Sequence, residues 1–257
     1  WHPGLGVVLE DASEFAERRG YQQVSTRAYA ADGRCFLNGD LAHRGAHAAQ
    51  VRALLSRTSA RPGRFACFGL HEWAMVLGLP SDEVRHASWP LRVTPDEVRA
   101  TIEECGLSCS HFDAFRFFTA EARPLNSGQL TRAGQVDVEQ PGCLHAGMDL
   151  YRWSFELQPL VGSALVLRCF QHAADARRVD MQASPYDLFA LGLSPIPVET
   201  PAGRATYAAE QRRLAATGQQ LRRELLDALA QAELPPAKGA PGPQPEPGPV
   251  PTDFTRS

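Results

Sequence analysis

One stretch constrains the fold more than any other. From Gly203 to Leu234 the chain is rich in Arg, Glu, Ala and Leu and reads as a single long helix. Helix-forming stretches recur upstream, and together they cover roughly half of the chain, above the usual third. The expectation is a mainly α protein: a single helical domain over residues 1–234 with a minor β element. The long helix packs either on the core or on another subunit, and the sequence leaves the oligomeric state open. Beyond it, residues 235–257 are rich in Pro and Gly and read as a disordered tail.

The other elements follow from spacing and punctuation. Residues 1–45 read as an irregular lead-in with a strand or two. His47 to Arg57 places Val51, Leu54 and Leu55 at helical spacing, and Arg61 to Arg64 is a turn. Phe65 to Leu79 is an apolar run broken only by His71 and Glu72, which predicts a buried helix from about Gly69 that stops near Gly78 and Pro80. Thr94, Pro95 and Glu97 spell a capping box for a helix to about Cys105, closed by Gly106. Leu107 to Asp113 alternates and predicts a short strand. Phe115, Phe117 and Phe118 are core candidates, and Arg123 to Asn126 is a loop. Helices are expected over Leu130 to Glu139, Leu144 to Leu157 and Ser163 to about Met181. Ser184, Pro185 and Asp187 have the grammar of one more helix start.

Composition bounds the function. The 257 residues suit one large domain or two small ones, and 44% hydrophobic content suffices for a core. No apolar run is long enough to span a membrane. The chain begins at Trp1 without an initiator Met or a signal-peptide pattern, which reads as a trimmed or incomplete N-terminus of a cytoplasmic protein. The six Cys include no CxxC pair, so reduced thiols are expected. Net charge is −3, without the basic footprint of a non-specific duplex binder. Lys238 is the only Lys; the other cations are Arg, whose planar donors suit phosphate or carboxylate.

Chemistry-bearing residues concentrate between 61 and 160. This span holds four of the eight His, four of the six Cys, and 13 acids against nine Arg. It also reads as the most buried part of the chain, and buried charge is costly unless paired or ligated. Three segments stand out. His71 and Glu72 are adjacent, about 100° apart on a helix. His111 and Asp113 share a face if their segment is a strand. His145 and Asp149, four apart, share a helix face, with Trp153 one turn further. Each also has a plain structural reading: a core histidine bonded to a carbonyl, a local polar pair, an acid paired with an Arg. Asp187 suits helix capping better than catalysis. Buried cysteines usually behave as small hydrophobes.

No HExxH, GxSxG, Walker loop, dinucleotide-binding glycine motif or deaminase HxE–PCxxC is present. The strings CFGLHEWAMV, EVRHASWPLR, CSHFDAFRFFT, RPLN, EQPGCLHAGMDLYRW and ASPYDL nevertheless resemble a bacterial family commonly labelled 3-methyladenine DNA glycosylase, over about Trp1 to Leu225. The resemblance implies excision of alkylated bases from DNA without a cofactor, with damaged DNA or a related nucleoside as partner. Such chemistry needs a carboxylate, aromatic stacking and an arginine rim. Glu72, Asp113 or Asp149, with His111 and His145, are the catalytic candidates. Trp73, Trp89, Phe112, Phe115, Tyr151 and Trp153 are candidates for stacking. Arg64, Arg85, Arg92, Arg116, Arg123, Arg132 and Arg152 are candidates for the rim, and Asn126 for a polar contact. The residues equally support a metal-dependent enzyme acting on a small molecule. His71, His86, His111, Asp113, His145 and Asp149 are ligand types for iron, zinc or manganese. A third reading is a non-catalytic module that binds a nucleotide or a partner protein.

Overall fold

Three helices fix the architecture of this computed structural model, in which residues 8–15, 17, 21–23, 35–37, 45–80 and 82–231 are described. In chain order the strands are β1 (Val8–Leu9), β2 (Tyr21–Gln23) and β3 (Cys35–Leu37). The helices are α1 (Gly45–Ala60), α2 (Leu70–Ala74), α3 (Pro95–Cys105), α4 (Phe112–Phe115), α5 (Gln135–Val138), α6 (Leu144–Glu156), α7 (Ser163–Ala183) and α8 (Pro201–Gln231). At 31 residues α8 is about 46 Å long. Helices α6, α7 and α8 pack against one another, and α1 lies along α8. The chain is mainly α, and no described helix is long and apolar enough to cross a membrane.

The helices approach closely because small residues stand at the crossing. A Cβ on Gly147 of α6 would sit 2.9 Å from His172 Nε2, and one on Gly218 of α8 would sit 3.2 Å from it. His172 of α7 therefore occupies a notch cut by both glycines. Two apolar clusters join these helices to the rest of the chain. One joins Val51, Leu54 and Leu55 of α1 to Leu150, Trp153 and Leu157 and to Leu221, Leu225 and Leu229 of α8. The other gathers Trp73, Leu77, Val98, Ile102, Phe115, Phe118, Val179 and Tyr207. Each fully buried Leu or Phe there contributes about 1.5–3 kcal/mol, so the pair of clusters holds α2 and α6 firmly against α7.

The α3 start is as expected. Thr94 Oγ1 accepts from the Glu97 N–H at 3.2 Å, and Glu97 Oε2 accepts from the Thr94 N–H at 2.7 Å, with Pro95 at the first turn. The minor β element is a three-stranded antiparallel arrangement in the order β1–β3–β2. The expected tail, 235–257, lies outside the described residues.

Three local expectations are corrected. Leu107 to Asp113 is not a strand: Leu107 makes an isolated bridge to Asn126, and the His111 carbonyl then accepts from Ala114 and Phe115, starting α4. The helix expected over Leu130–Glu139 contracts to α5. Thr131 Oγ1 holds the Gly134 N–H at 3.1 Å, so the preceding residues turn instead of winding. Ser184–Asp187 does not open an α-helix. Its backbone pairs with the 90–92 segment, through Arg92 N to Pro185 O at 2.9 Å and Asp187 N to Pro90 O at 2.7 Å. Asp187 caps only the short turn Phe189–Leu191, accepting from the Phe189 N–H at 3.0 Å.

Candidate metal centre

The site begins with an unusual turn. Phe68 and Gly69 both adopt left-handed backbone, φ 46° and 73°. For a phenylalanine this conformation costs on the order of 1–3 kcal/mol. Gly69 lets the chain approach α7, since a Cβ there would lie 3.1 Å from Ala183 Cβ. The turn delivers α2 to α7 with His71 and Glu72 facing Asp180 and Arg177. Helix α6 presents His145 and Asp149 from the other side. His111, just before α4, and Glu139, just after α5, complete the group.

Two triads of donors result. His71, His145 and Asp180 each offer an atom within 4.8 Å of the others, and so do His111, Glu139 and Asp149. His145 joins them. Its ring meets His71 edge-on at 4.5 Å between centroids and stacks on His111 at 5.3 Å. His71 Nε2 and Asp180 Oδ1 lie 3.1 Å apart, both buried, yet neither makes a hydrogen bond. The two groups still interact, since Asp180 raises the His71 pKa and His71 lowers that of Asp180, and their separation also fits a shared ion. Two donors bonded to one ion at about 2.0–2.2 Å stand roughly 3.0–3.5 Å apart, aimed at the ion and not at each other. Buried polar atoms without partners are rare enough to need such an explanation.

In the second triad, His111 Nδ1 faces Glu139 Oε2 at 3.3 Å, and Nε2 faces Asp149 Oδ2 at 3.5 Å. One ring thus lies between two carboxylates on opposite edges. Glu139 is itself held by Gln135 Nε2 at 2.7 Å and Thr58 Oγ1 at 3.2 Å.

Electrostatics separate the histidines. Burial pushes the His145 pKa well below its usual value, and the neighbouring His71 and His111 add to this, so it is neutral, the form that binds metals. Burial also opposes charge on His71 and His111, but Asp180 for the first, and Glu139 and Asp149 for the second, outweigh it and raise both. Burial would raise Asp180, yet His71, His145 and Arg177 hold it well below the carboxylate range. Asp149 is pushed up to about 6 by burial, with Glu139 adding to the effect. Four carboxylates, Glu72, Glu139, Asp149 and Asp180, share this region with two guanidiniums, Arg177 and Arg222. His71 and His111, both favoured in the charged form, and Arg152 beside Asp149 offset much of this negative charge.

On one side of the triads lies a void of about 20 Å³, lined by His71, His145 and the thiols of Cys67, Cys109 and Cys143. Burial raises all three thiol pKa values, Cys109 to about 12, so they remain protonated. On the other side, past Glu72 and Arg177, lies a larger cavity of about 180 Å³.

The remaining candidates from the sequence lie elsewhere. Asp113 and His111 do not share a face. Asp113 is clamped by Arg132, Arg116 (3.2 Å) and Arg152 (3.7 Å), and Arg132 outweighs burial in lowering its pKa. Phe112 lies under Arg132 and so borders that clamp. Trp73 is in the core, donating Nε1 to Ala183 O at 2.8 Å. Trp89 and His86 line the larger cavity. Tyr151 packs on Phe155 and Phe170, and Trp153 on His47 and Arg152. Arg123 donates to Phe118 O and Arg116 O, and Asn126 bonds Cys109 and Gly128 backbone. Phe115 is core. Of the wider arginine rim, Arg92 pairs Glu199 and Arg85 lies over Phe117.

Asp180 and Glu139 escaped the sequence reading. The signal for Asp180 was present. The buried face of α7 runs Ala176, Val179, Asp180 and Ala183, so an acid occupies a core phase of the helix. Glu139 had no comparable mark, since it follows a helix of a single turn. No family model matches this chain, and neither a curated protein nor a solved structure does.

Proposed function

We propose that the protein is a metal-dependent enzyme acting on a small molecule, with a divalent iron, zinc or manganese ion held by His71, His145 and Asp180. The observation that carries this reading is the cluster itself: donor atoms of His71, His145 and Asp180 within 4.8 Å of one another, with the buried His71 Nε2 and Asp180 Oδ1 3.1 Å apart. Two imidazoles and one carboxylate leave coordination positions for water and substrate, a donor set typical of iron(II) enzymes. His111, between Glu139 and Asp149, is placed to hold or move a proton beside the ion without ligating it. The test is elemental analysis after anaerobic reconstitution with each metal in turn. One tightly held ion per chain is expected, lost in H71A and D180N. Sub-stoichiometric metal in the folded wild-type protein under all three conditions overturns the reading.

The resemblance to DNA glycosylases gives the second reading. Its structural support is the exposed face where Arg116, Arg132 and Arg152 surround Asp113 beside Phe112. That exposed face gives no account of the buried donor clusters around His71 and His111, so the metal reading is preferred. Release of free base from alkylated DNA by metal-stripped protein, abolished in D113N or D149N, would reverse that preference.

A further inference from the structure

The cavity of about 180 Å³ on the far side of Glu72 and Arg177 is walled by Trp89, Met181, Leu188 and Leu191, all apolar. Its polar groups are unequally spent. Arg177 uses Nη1 twice, donating to Glu72 Oε1 at 3.2 Å and to Asp180 Oδ2 at 2.7 Å. Its Nε and Nη2 find no acceptor among the described residues, although the side chain is 46% exposed. The Glu72 charge is met by the same guanidinium. Tyr186, 5% exposed, lines the cavity with its hydroxyl near the His86 backbone N–H, and that hydroxyl has no acceptor. A buried donor left unpaired costs about 1–3 kcal/mol. The Tyr186 hydroxyl can donate, and the Arg177 N–H groups, open to water in the free protein, donate as well, so a ligand that offers acceptors suits both.

We infer that this cavity binds a small monocarboxylic acid with an apolar body, the carboxylate meeting Arg177 and Tyr186 and the body lying against Trp89 and Leu188. An arginine edge with two free N–H groups matches a carboxylate in bidentate fashion. The body has a size limit, because a cavity of about 150 Å³ accepts a benzene ring. The exposed Leu191, at 50%, stands where the cavity reaches solvent. Arg177 touches Asp180, so a bound carboxylate lies one residue away from a proposed metal ligand. The assignment of this acid as substrate rests on the metal-enzyme reading, whereas its binding does not.

The experiment is titration calorimetry of the full chain with 3-phenylpropionate and, as the uncharged control, 3-phenylpropan-1-ol. Metal content is measured on the same samples. One acid per chain is expected, with the alcohol at least tenfold weaker. Y186F should weaken the acid several-fold while leaving the alcohol unchanged. L191W, which fills the mouth and leaves Arg177 and Tyr186 in place, should weaken both at least tenfold; circular dichroism confirms that each variant is folded. Equal affinity for acid and alcohol, wild-type affinity in folded L191W, or no acid binding by metal-replete protein overturns the inference. Acid binding by a chain that holds no metal sinks the metal reading and leaves this one standing.

Discussion

Two neighbouring triads that both draw on α6 invite comparison. Around His71, a single ring nitrogen and a carboxylate oxygen stand 3.1 Å apart without bonding, next to a neutral His145. Around His111, both ring nitrogens face carboxylates, one on each edge, and its charge is favoured despite burial. Both triads hold buried atoms without a hydrogen bond, His111 Nδ1 and Asp149 Oδ2 in the second, and what differs is composition: two imidazoles with one carboxylate against one imidazole with two. Two imidazoles, one of them neutral, suit an ion, whereas a single ring between two carboxylates suits a proton. The lesson is that the ratio of imidazole to carboxylate, and the charge each ring then carries, separates two clusters built from the same residue types.

The largest expected effect tests that division directly. His71→Ala should lower metal affinity by more than about 100-fold, beyond the 10–100-fold typical of outer-shell positions, and His111→Gln should stay within that range. Equilibrium competition with a chromogenic chelator measures both. Equal losses in the two variants would erase the distinction between the triads. Next in size is the stability linked to the ion. At a free metal concentration 100-fold above Kd, wild-type protein should gain about 2.7 kcal/mol, seen as a higher Tm, and His71→Ala should gain almost none. A metal-independent Tm in the wild type would remove the first triad from consideration.

Much of this arrangement was legible before any coordinates. The i, i+4 spacing of His145 and Asp149 placed both on one face of α6, and His111 does meet both. The capping box at Thr94 marked α3 to the residue. Illegible parts depended on contacts distant in sequence. Ser184 to Asp187 carried a sound local helix signal, but pairing with the Pro90–Arg92 backbone satisfied its polar groups in extended form. Asp113 sits only two residues from His111, yet the winding of α4 turns it toward Arg132, which lies 19 residues on. Asp180 could have been found, because an acid in the apolar phase of a helix calls for a partner. Glu139 could not, since its partners come from α1 and from His111.

A third effect is smaller and depends on pH. The pKa of Asp149 is raised from its ordinary 3.8 to about 6 in the folded protein. A carboxyl raised on folding binds a proton more tightly in the native state. Its ionisation therefore costs stability as pH rises from about 4 to 6, and the cost is constant above that. In metal-stripped protein, Asp149→Asn should match wild type near pH 4 and exceed it by about 1–3 kcal/mol at pH 7. Urea unfolding across this range measures the gap. A gap that closes with rising pH would mean that the His111 charge, and not burial, governs Asp149.

The smallest effect comes from a residue outside both triads and calibrates the rest. Thr94→Ala removes the acceptor for the Glu97 N–H and half of the reciprocal cap on α3. It should cost about 1 kcal/mol of stability. Helix α3 supplies none of the six triad residues, so this loss should be the same with and without metal, and chelator competition should give the wild-type affinity. The two measurements separate general loosening of the fold from disturbance of the donors. If Thr94→Ala weakened metal binding as much as His111→Gln does, the second triad would be acting only through overall rigidity, and its claim to a proton-handling role would fail.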